Sequence, residues 1–306
     1  MDDTRTVDVT PSAPLPLRRL GRTGLLVPVL GLGTGGLGDA AISEEQAGTV
    51  LNRAVDFGLS LIDAAPSYGL AEERIGRHLS WRRRDFVLVT KVGYGVPGVP
   101  DWTSASIRGG IEAALARTRT DHLDVVLLHS CPLEILQRAE LGEALLAAKA
   151  AGKVRAIGYS GENEALAEAI RAPWCEVIEL SVNPFDQRSL DNMIPAAVER
   201  GLGVLAKRPL ANAPWRFRER PVGDYALEYW DRRVAMALNL PLPEDEFALR
   251  FAAFAPGVDA AILGTRRPEH VEAAAKMIAA GPLPPELWRR TRAAFGDRDR
   301  GWAGQI

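Results

Sequence analysis

A repeating alternation of short apolar runs and helix-like stretches is the feature that most restricts how this chain can fold. Eight apolar runs have the length and composition of buried parallel strands, and they lie at Val27–Gly33, Leu59–Asp63, Phe86–Lys91, Leu123–His129, Val154–Ser160, Val177–Ser181, Leu202–Lys207 and Ala260–Leu263. Eight segments with helical periodicity follow them in turn, at Glu44–Phe57, Glu72–Leu79, Ser104–Thr118, Leu141–Ala151, Glu162–Ile170, Asp191–Arg200, Glu244–Phe254 and Pro268–Ala280. This α/β pattern predicts a single (β/α)8 TIM barrel domain over residues 17–306.

Three segments lie outside the repeat. Residues 1–16 contain several prolines and no periodicity, which predicts a flexible N-terminal tail. Leu17–Val27 carries a Gly-Arg-Thr-Gly stretch between apolar pairs, which predicts a short hairpin before the first barrel strand. Arg208–Asn239 follows the seventh strand, is rich in aromatic residues and is too long for an ordinary connection. We interpret it as a long loop that contributes to binding at the strand-exit face.

Composition and charge exclude several classes of protein. Lys and Arg total 37 against 39 Asp and Glu, so nothing indicates a nucleic acid or an anionic membrane as partner. No apolar run approaches the roughly 20 residues of a membrane helix, and the acidic start Met1-Asp2-Asp3 is unlike a secretory signal, so we expect a cytoplasmic protein. Cys131 and Cys175 fit neither a disulfide framework nor a metal site and are interpreted as core thiols.

A glycine-rich loop offers a competing interpretation. The stretch Gly31-Leu32-Gly33-Thr34-Gly35-Gly36 matches G-x-G-x-x-G, and Asp63 ends the next strand, where a dinucleotide-binding Rossmann domain keeps its ribose-binding acid. In that motif the last glycine lies in the first turn of a helix, whereas here Leu37–Ile42 separate the glycines from the helix expected near Ser43. The repeat also continues to eight units, which favours the barrel over a doubly wound sheet.

Polar side chains end three successive predicted strands. Asp63, Lys91 and His129 occupy these ends, and Tyr68 follows Asp63 by five residues. Strand ends in a barrel meet at one face, so we expect these side chains to converge, with Asp63 as counter-charge to Lys91. The Lys91 charge is expected to lower the pKa of Tyr68 from about 10 and make it a general acid near neutral pH. Each residue also has a purely structural explanation, but their joint occurrence favours a catalytic site.

These residues lie in motifs that resemble the aldo-keto reductase superfamily. The matching segments are Asp63-Ala64-Ala65-Pro66-Ser67-Tyr68-Gly69, Glu72-Glu73-Arg74-Ile75-Gly76, Thr90-Lys91-Val92, Asp121-His122-Leu123-Asp124 and Leu127-Leu128-His129. The resemblance implies that Tyr68 donates a proton, that Lys91 and Asp63 tune it, and that His129 orients the substrate carbonyl. The implied reaction is reduction of small aldehydes or ketones to alcohols by NAD(P)H.

The resemblance also implies a cofactor site. The implied cofactor-binding residues are Gly33, Thr34, Ser160, Glu179, Lys207, Arg208, Pro209, Leu210, Gly264, Thr265, Arg266 and His270. The chain departs from the family pattern at Gly161, where the family has Asn, and at Glu179, where it has Gln. A carboxylate at position 179 can accept a hydrogen bond from the nicotinamide carboxamide but cannot donate one while ionised. Ala273 and Ala274 replace the Glu and Asn of the family's adenosine-binding loop.

Arg266 and Arg267 bear on the choice of cofactor. Two guanidinium groups in one loop suit the 2′-phosphate, so NADP is expected, with NAD as the alternative. The two arginines also fit a simple solvated helix entry.

Two alternatives concern the activity and the substrate. The same barrel serves regulatory or cofactor-sensing subunits with little turnover, such as potassium-channel β subunits, although the complete set of four residues favours an enzyme. The aromatic residues that suit either a substrate pocket or ordinary packing are Tyr94, Trp102, Trp215, Phe217 and Trp302. The sequence leaves the substrate, the preferred reaction direction and the oligomeric state open.

Overall fold

The structure, a computed structural model, describes residues 15–306 and contains a closed barrel of eight parallel strands. An antiparallel hairpin precedes it, with β1 at Leu17–Arg19 and β2 at Leu26–Pro28. The barrel strands are β3 (Leu30–Gly33), β4 (Leu61–Asp63), β5 (Val87–Val92), β6 (Leu123–His129), β7 (Val154–Ser160), β8 (Val177–Ser181), β9 (Gly203–Lys207) and β10 (Ala260–Gly264). They follow chain order, and β10 closes the barrel by pairing with both β9 and β3. The predicted barrel and hairpin are confirmed, and the doubly wound sheet is excluded.

Helices connect the strands. They are α1 (Glu44–Asp56), α2 (Ala71–His78), α3 (Ser104–Thr118), α4 (Leu133–Leu136), α5 (Ala139–Ala150), α6 (Asn163–Arg171), α7 (Met193–Glu199), α8 (Leu227–Met236), α9 (Glu244–Ala253), α10 (Pro268–Ala279) and α11 (Pro285–Arg298). A capping interaction begins α1, where the Ser43 side chain accepts from Gln46 N–H. In α3 a full capping box pairs Thr103 with Ser106.

The structure differs from the predicted elements in three places. Val27 belongs to the hairpin rather than to the first barrel strand, which begins at Leu30. The connection after β9 is not a plain loop, because it contains α8, whose buried face is formed by Tyr229, Arg232 and Met236. The helices α4 and α11 were not predicted. Residues 1–14 of the predicted tail lie outside the described residues, and Leu15 is buried in the core.

The hairpin covers the N-terminal end of the barrel. Leu20, Leu25 and Val27 are buried and pack with a cluster of aliphatic side chains from the barrel strands. At the turn, Gly21 has a φ of +48°, and a Cβ there would lie 2.3 Å from Gly203 N, so only glycine allows this close approach. Because this end is filled with apolar side chains, the polar ends of the strands are left to the opposite face.

Two further observations concern the described residues 15–306. Cys131 and Cys175 are free and buried, as expected for core thiols. In this part of the chain no helix combines the length and apolar character needed to cross a membrane.

Candidate active site

A buried ion pair lies at the centre of the C-terminal face of the barrel. Lys91, near the end of β5, is 1% exposed, and Asp63, the last residue of β4, is 4% exposed. The Lys91 ammonium donates to Asp63 Oδ1 and, over 3.1 Å, to the Ala64 carbonyl oxygen. The structure thus brings together the predicted cation and its predicted counter-charge.

Glu179 adds a second carboxylate to this ion pair. It lies on β8, is 1% exposed, and its Oε2 is 3.4 Å from Lys91 Nζ. Its Oε1 accepts from the Ser160 hydroxyl over 2.9 Å, because strand register places Ser160 directly beside Glu179. One ammonium is therefore shared by two carboxylates, an arrangement that a neutral glutamine at this position would not produce.

The competition for Lys91 determines the protonation of the group. Burial, followed by the Glu179 charge, raises the pKa of Asp63 to about 8 against the opposing effect of Lys91. Burial also opposes ionisation of Glu179, but Lys91 and Lys207 outweigh it and lower the pKa of Glu179. Burial alone would lower the pKa of Lys91, and the two carboxylates instead raise it, so Lys91 stays cationic.

The face of the Tyr68 ring lies against the Lys91 ammonium. The Lys91 ammonium lies 5.3 Å from the centroid of the Tyr68 ring, and the ring meets His129 edge to face at 6.1 Å. Lys91 exerts the largest single effect and lowers the pKa of Tyr68, but burial and the charges of Asp63 and Glu179 together raise it to about 12. The expectation of a lowered pKa is therefore wrong. Tyr68 keeps its proton at neutral pH, as a proton donor requires.

Close backbone contacts hold the loop that carries Tyr68. The Tyr68 amide donates to Ala65 O over 3.0 Å, and Leu70 N–H donates to Gly38 O over 2.9 Å. A Cβ on Gly38 would lie 1.4 Å from the Tyr68 carbonyl oxygen, so the turn that follows the glycine-rich stretch packs directly beneath this loop. Within the stretch, a Cβ on Gly31 would lie 2.6 Å from the Leu61 carbonyl oxygen, so this glycine serves close strand packing, and the α-helix that follows begins only at Glu44.

His129 ends β6 and has a hydroxyl partner. Its Nδ1 is hydrogen-bonded to the Tyr94 hydroxyl, which also contacts Ser67 Oγ at 2.8 Å. Burial, reinforced by the charge of Lys91, lowers the pKa of His129 to about 3, so the imidazole is neutral. From the sequence, Tyr94 is expected only as a pocket aromatic. Its position three residues after Lys91 was the available signal for a role at the site.

A cavity of about 790 Å³ opens above these residues. The predicted site residues that line it are Gly33, Asp63, Tyr68, His129, Ser160, Glu179, Lys207, Arg208, Pro209, Leu210, Gly264 and Arg266. Four predicted residues do not line the cavity: Lys91, Thr34 and Thr265 are buried behind its wall, and His270 is exposed. The Thr34 hydroxyl donates to Asp63 O over 2.8 Å, and Thr265 Oγ1 lies 3.2 Å from Nδ1 of His270, which belongs to the first turn of α10.

The outer end of the cavity carries a different kind of ion pair. Arg266 Nη1 lies 3.2 Å from Asp39 Oδ2, and the two side chains are 53% and 40% exposed. Arg267 is exposed and does not line the cavity. Asp39, which follows the glycine-rich stretch, is not among the site residues predicted from the sequence.

The aromatic candidates separate into two groups. Tyr94 contacts His129, and Trp102 packs against Tyr94 with ring centroids 5.7 Å apart. The ring centroids of Trp302 and Phe295 are 5.3 Å apart. Trp215 packs against the same small cluster of buried side chains, to which Phe295 belongs.

Comparisons with known proteins identify the family of the chain. A sequence model described as the Aldo/keto reductase family matches residues 29–294, and the chain belongs to this family. D-threo-aldose 1-dehydrogenase from a Pseudomonas species is 29% identical over 308 residues, which span 87% of this chain and 93% of that protein.

Solved structures give the same assignment. A Pseudomonas aeruginosa protein described as an aldo-keto reductase is 32% identical with a TM-score of 0.69, over 86% of this chain and 95% of its own. The holo form of an aldo-keto reductase from Bacillus halodurans is 26% identical with a TM-score of 0.81, over 92% of this chain and 96% of its own. Membership of the family and its dehydrogenase relatives identify the chain as an oxidoreductase.

Proposed function

We propose that this aldo-keto reductase interconverts small aldehydes or ketones and their alcohols with NADP(H), in the cytoplasm. The observation that carries the proposal is the convergence of Tyr68, Asp63 and His129 at the floor of one cavity, with Lys91 buried directly behind Asp63 and Tyr68. A protonated phenol beside a fixed cation and a neutral imidazole can protonate a carbonyl oxygen and stabilise the charge that develops.

The cavity fits a long, partly polar cofactor. A Cβ on Gly264 would meet no atom within 4 Å, so the wall there leaves open space for a ligand. Glu179 Oε2 is buried and makes no hydrogen bond. Ser160 and Glu179 would hold the carboxamide end, Lys207–Leu210 the pyrophosphate, and Arg266 the adenosine phosphate. When bound, the cofactor supplies or accepts the hydride at the carbonyl carbon.

The side chains of the chain supply the proton chemistry. Tyr68 gives its proton to the carbonyl oxygen as that oxygen gains charge, and Lys91 stabilises the phenolate left behind. Asp63 fixes the Lys91 ammonium through a direct hydrogen bond. The Tyr94 hydroxyl has one proton, so when it donates to His129 Nδ1 it accepts from the Ser67 hydroxyl, and the neutral imidazole then carries its proton on Nε2 and can donate it to the carbonyl oxygen. In alcohol oxidation the same groups act in reverse.

The choice of NADP(H) depends on Arg266. Its guanidinium offers planar donors to a 2′-phosphate, and it lines the cavity. Asp39 opposes this preference because it neutralises Arg266 and could accept from a free ribose hydroxyl. A dianionic phosphate is the stronger partner for the guanidinium, so we expect it to displace Asp39.

The proposal is tested with a panel of aldehydes, ketones and sugars, assayed by the absorbance of reduced cofactor with NADPH and NADH in parallel, and in the oxidative direction with NADP⁺. Turnover in either direction is expected. Tight cofactor binding without turnover across the panel would instead indicate the regulatory alternative.

A further inference from the structure

The two carboxylates on Lys91 leave the floor of the cavity with one more acid than its cation can neutralise. Glu179 lines the cavity and is 1% exposed, and its Oε2 accepts no hydrogen bond. The described residues around it provide Lys91 at 3.4 Å and the Ser160 hydroxyl at 2.9 Å. Lys91 is already bound to Asp63, so it cannot fully compensate both acids.

Other charges near Glu179 reduce this excess of acid but do not remove it. The titratable or charged groups around it are Asp63 from β4, Tyr68 from the following loop, Lys91 from β5, His129 from β6, and Lys207 and Arg208 from the end of β9. His129 and Tyr68 are neutral near pH 7. Lys207 lowers the pKa of Glu179 but is paired with Glu162 at 3.1 Å, and Arg208 directs its hydrogen bonds to Ser181 Oγ and a backbone carbonyl rather than to Glu179.

A buried pair of acids on one cation takes up a proton when no further positive charge is near. Such a proton makes Asp63, Glu179 and Lys91 together neutral. A second positive charge entering the cavity favours loss of that proton, because both carboxylates can then be compensated. A neutral ligand offers no such compensation and leaves the proton in place.

Resting on the proposed function, we infer that Glu179 couples the oxidation state of the bound cofactor to a proton. The oxidised nicotinamide ring carries a positive charge and the reduced ring is neutral, so binding of the oxidised form releases the proton shared by Asp63 and Glu179 to solvent. Binding of the reduced form retains it. A chain with glutamine at this position lacks the second acid and would discriminate between the two forms independently of pH.

This coupling has a consequence for cofactor affinity. The folded-state pKa of Asp63, raised to about 8 by burial and by Glu179, places the titration between pH 6 and 9. Affinity for the oxidised form therefore rises with pH over this range, relative to the reduced form. We expect the ratio of the two dissociation constants to change by roughly tenfold between pH 6 and pH 9, which corresponds to about 1.4 kcal/mol of attraction between the ring charge and the ionised carboxylates.

The test measures binding of NADP⁺ and of NADPH separately, by tryptophan fluorescence and calorimetry, without substrate, at pH 6, 7, 8 and 9. The two cofactor forms carry the same phosphates, so phosphate titration cancels in the ratio of their dissociation constants. Glu179→Gln is expected to give a ratio that does not change with pH. Glu179→Asp, which keeps the acid, is expected to retain the pH dependence. Glu72→Gln is the matched control, because Glu72 is an equally buried carboxylate that does not line the cavity.

A second measurement does not depend on how well the variants fold. Calorimetric titration of the parent protein at pH 7, in buffers of different ionisation enthalpy, is expected to detect proton release with NADP⁺ and none with NADPH. Equal proton release with both forms, or a pH-independent ratio in the parent, overturns the inference while leaving the proposed reaction intact. Failure of both forms to bind would overturn the proposed function itself.

Discussion

Two ion pairs border the same cavity, and they differ mainly in burial. Lys91 and Asp63 at the floor have side chains that are 0% and 5% exposed, whereas Arg266 and Asp39 at the outer end are 53% and 40% exposed. Removing one partner of a buried pair leaves an uncompensated charge in a medium of low dielectric constant. An exposed pair is screened by water and exchanges partners at little cost. The floor is therefore suited to fixed proton chemistry, and the outer end to recognition of an incoming anion.

Replacing the cation at the floor is expected to have the largest effect. Lys91→Met leaves Asp63 and Glu179 buried together without a cation, which costs roughly 3–5 kcal/mol of folding free energy. It also removes the charge that stabilises the Tyr68 phenolate, so turnover is expected to fall by roughly 10³-fold. Thermal melts and steady-state kinetics measure the two losses.

An exposed pair provides the control for Lys91→Met. Lys153 pairs with Glu112, and their side chains are 43% and 57% exposed. Lys153→Met is expected to change the folding free energy by less than about 1 kcal/mol and to leave turnover unchanged. Equal melting temperatures for Lys91→Met and Lys153→Met would show that burial does not distinguish the two regions.

The outer ion pair is tested through the Michaelis constants of the cofactors. Arg266→Ala is expected to raise the KM for NADPH by roughly tenfold, because a charge-assisted contact to phosphate is lost. The KM for NADH is expected to change by less than about twofold, since no phosphate is involved. Arg267→Ala, at a neighbouring arginine outside the cavity wall, should leave both constants unchanged. Equal losses for NADPH and NADH in Arg266→Ala would show that Arg266 does not bind the 2′-phosphate.

Loss of the Tyr94 hydroxyl beside His129 is expected to slow turnover less than loss of the ion pair at the floor. Tyr94→Phe removes the partner of His129 Nδ1 and leaves the two imidazole tautomers free to interchange. We expect kcat to fall by roughly three- to tenfold, the scale of one neutral hydrogen bond, with cofactor affinity unchanged. Ser67→Ala, which removes the more distant partner, should reduce kcat less. A larger loss in Ser67→Ala than in Tyr94→Phe would contradict this order.

The smallest expected effect is a shift of thermal stability with pH. In the folded protein the pKa of Asp63 is raised to about 8, so the stability contributed by its proton is complete at low pH and is lost as pH rises toward 8. Glu179→Gln removes one cause of the raised pKa, so the variant should lose less stability over this range. Relative to the parent, its Tm is expected to rise by roughly 2–4 °C between pH 6 and pH 8. Parallel pH dependences in the two proteins would show that the carboxylates do not compete for Lys91.

Local sequence pattern was sufficient for the barrel and for the strand-end residues. Asp63, Lys91 and His129 were predictable because parallel strands in a barrel deliver their last residues to one face. The helices α8 and α11 were not predicted because they lie outside the eight-unit repeat, α8 within the long connection after β9 and α11 after the last unit.

The electrostatics of the site could not be predicted in the same way. The raised pKa of Tyr68 depends on burial and on Glu179, whose position beside Lys91 follows from barrel closure and not from any local spacing. The contact between Asp39 and Arg266 joins opposite parts of the chain across the seam between β3 and β10. Such contacts appear only once the register of the strands is known.

The central claim is that Tyr68 supplies the proton at the floor of the cavity, and Tyr68→Phe tests it most directly. Cofactor binding is measured by fluorescence, and hydride transfer is measured in a single turnover with a substrate identified for the parent protein. We predict a cofactor dissociation constant within about twofold of the parent and hydride transfer slower by roughly 10²–10⁴-fold, the usual contribution of a positioned general acid. Hydride transfer in Tyr68→Phe at the rate of the parent would contradict the account.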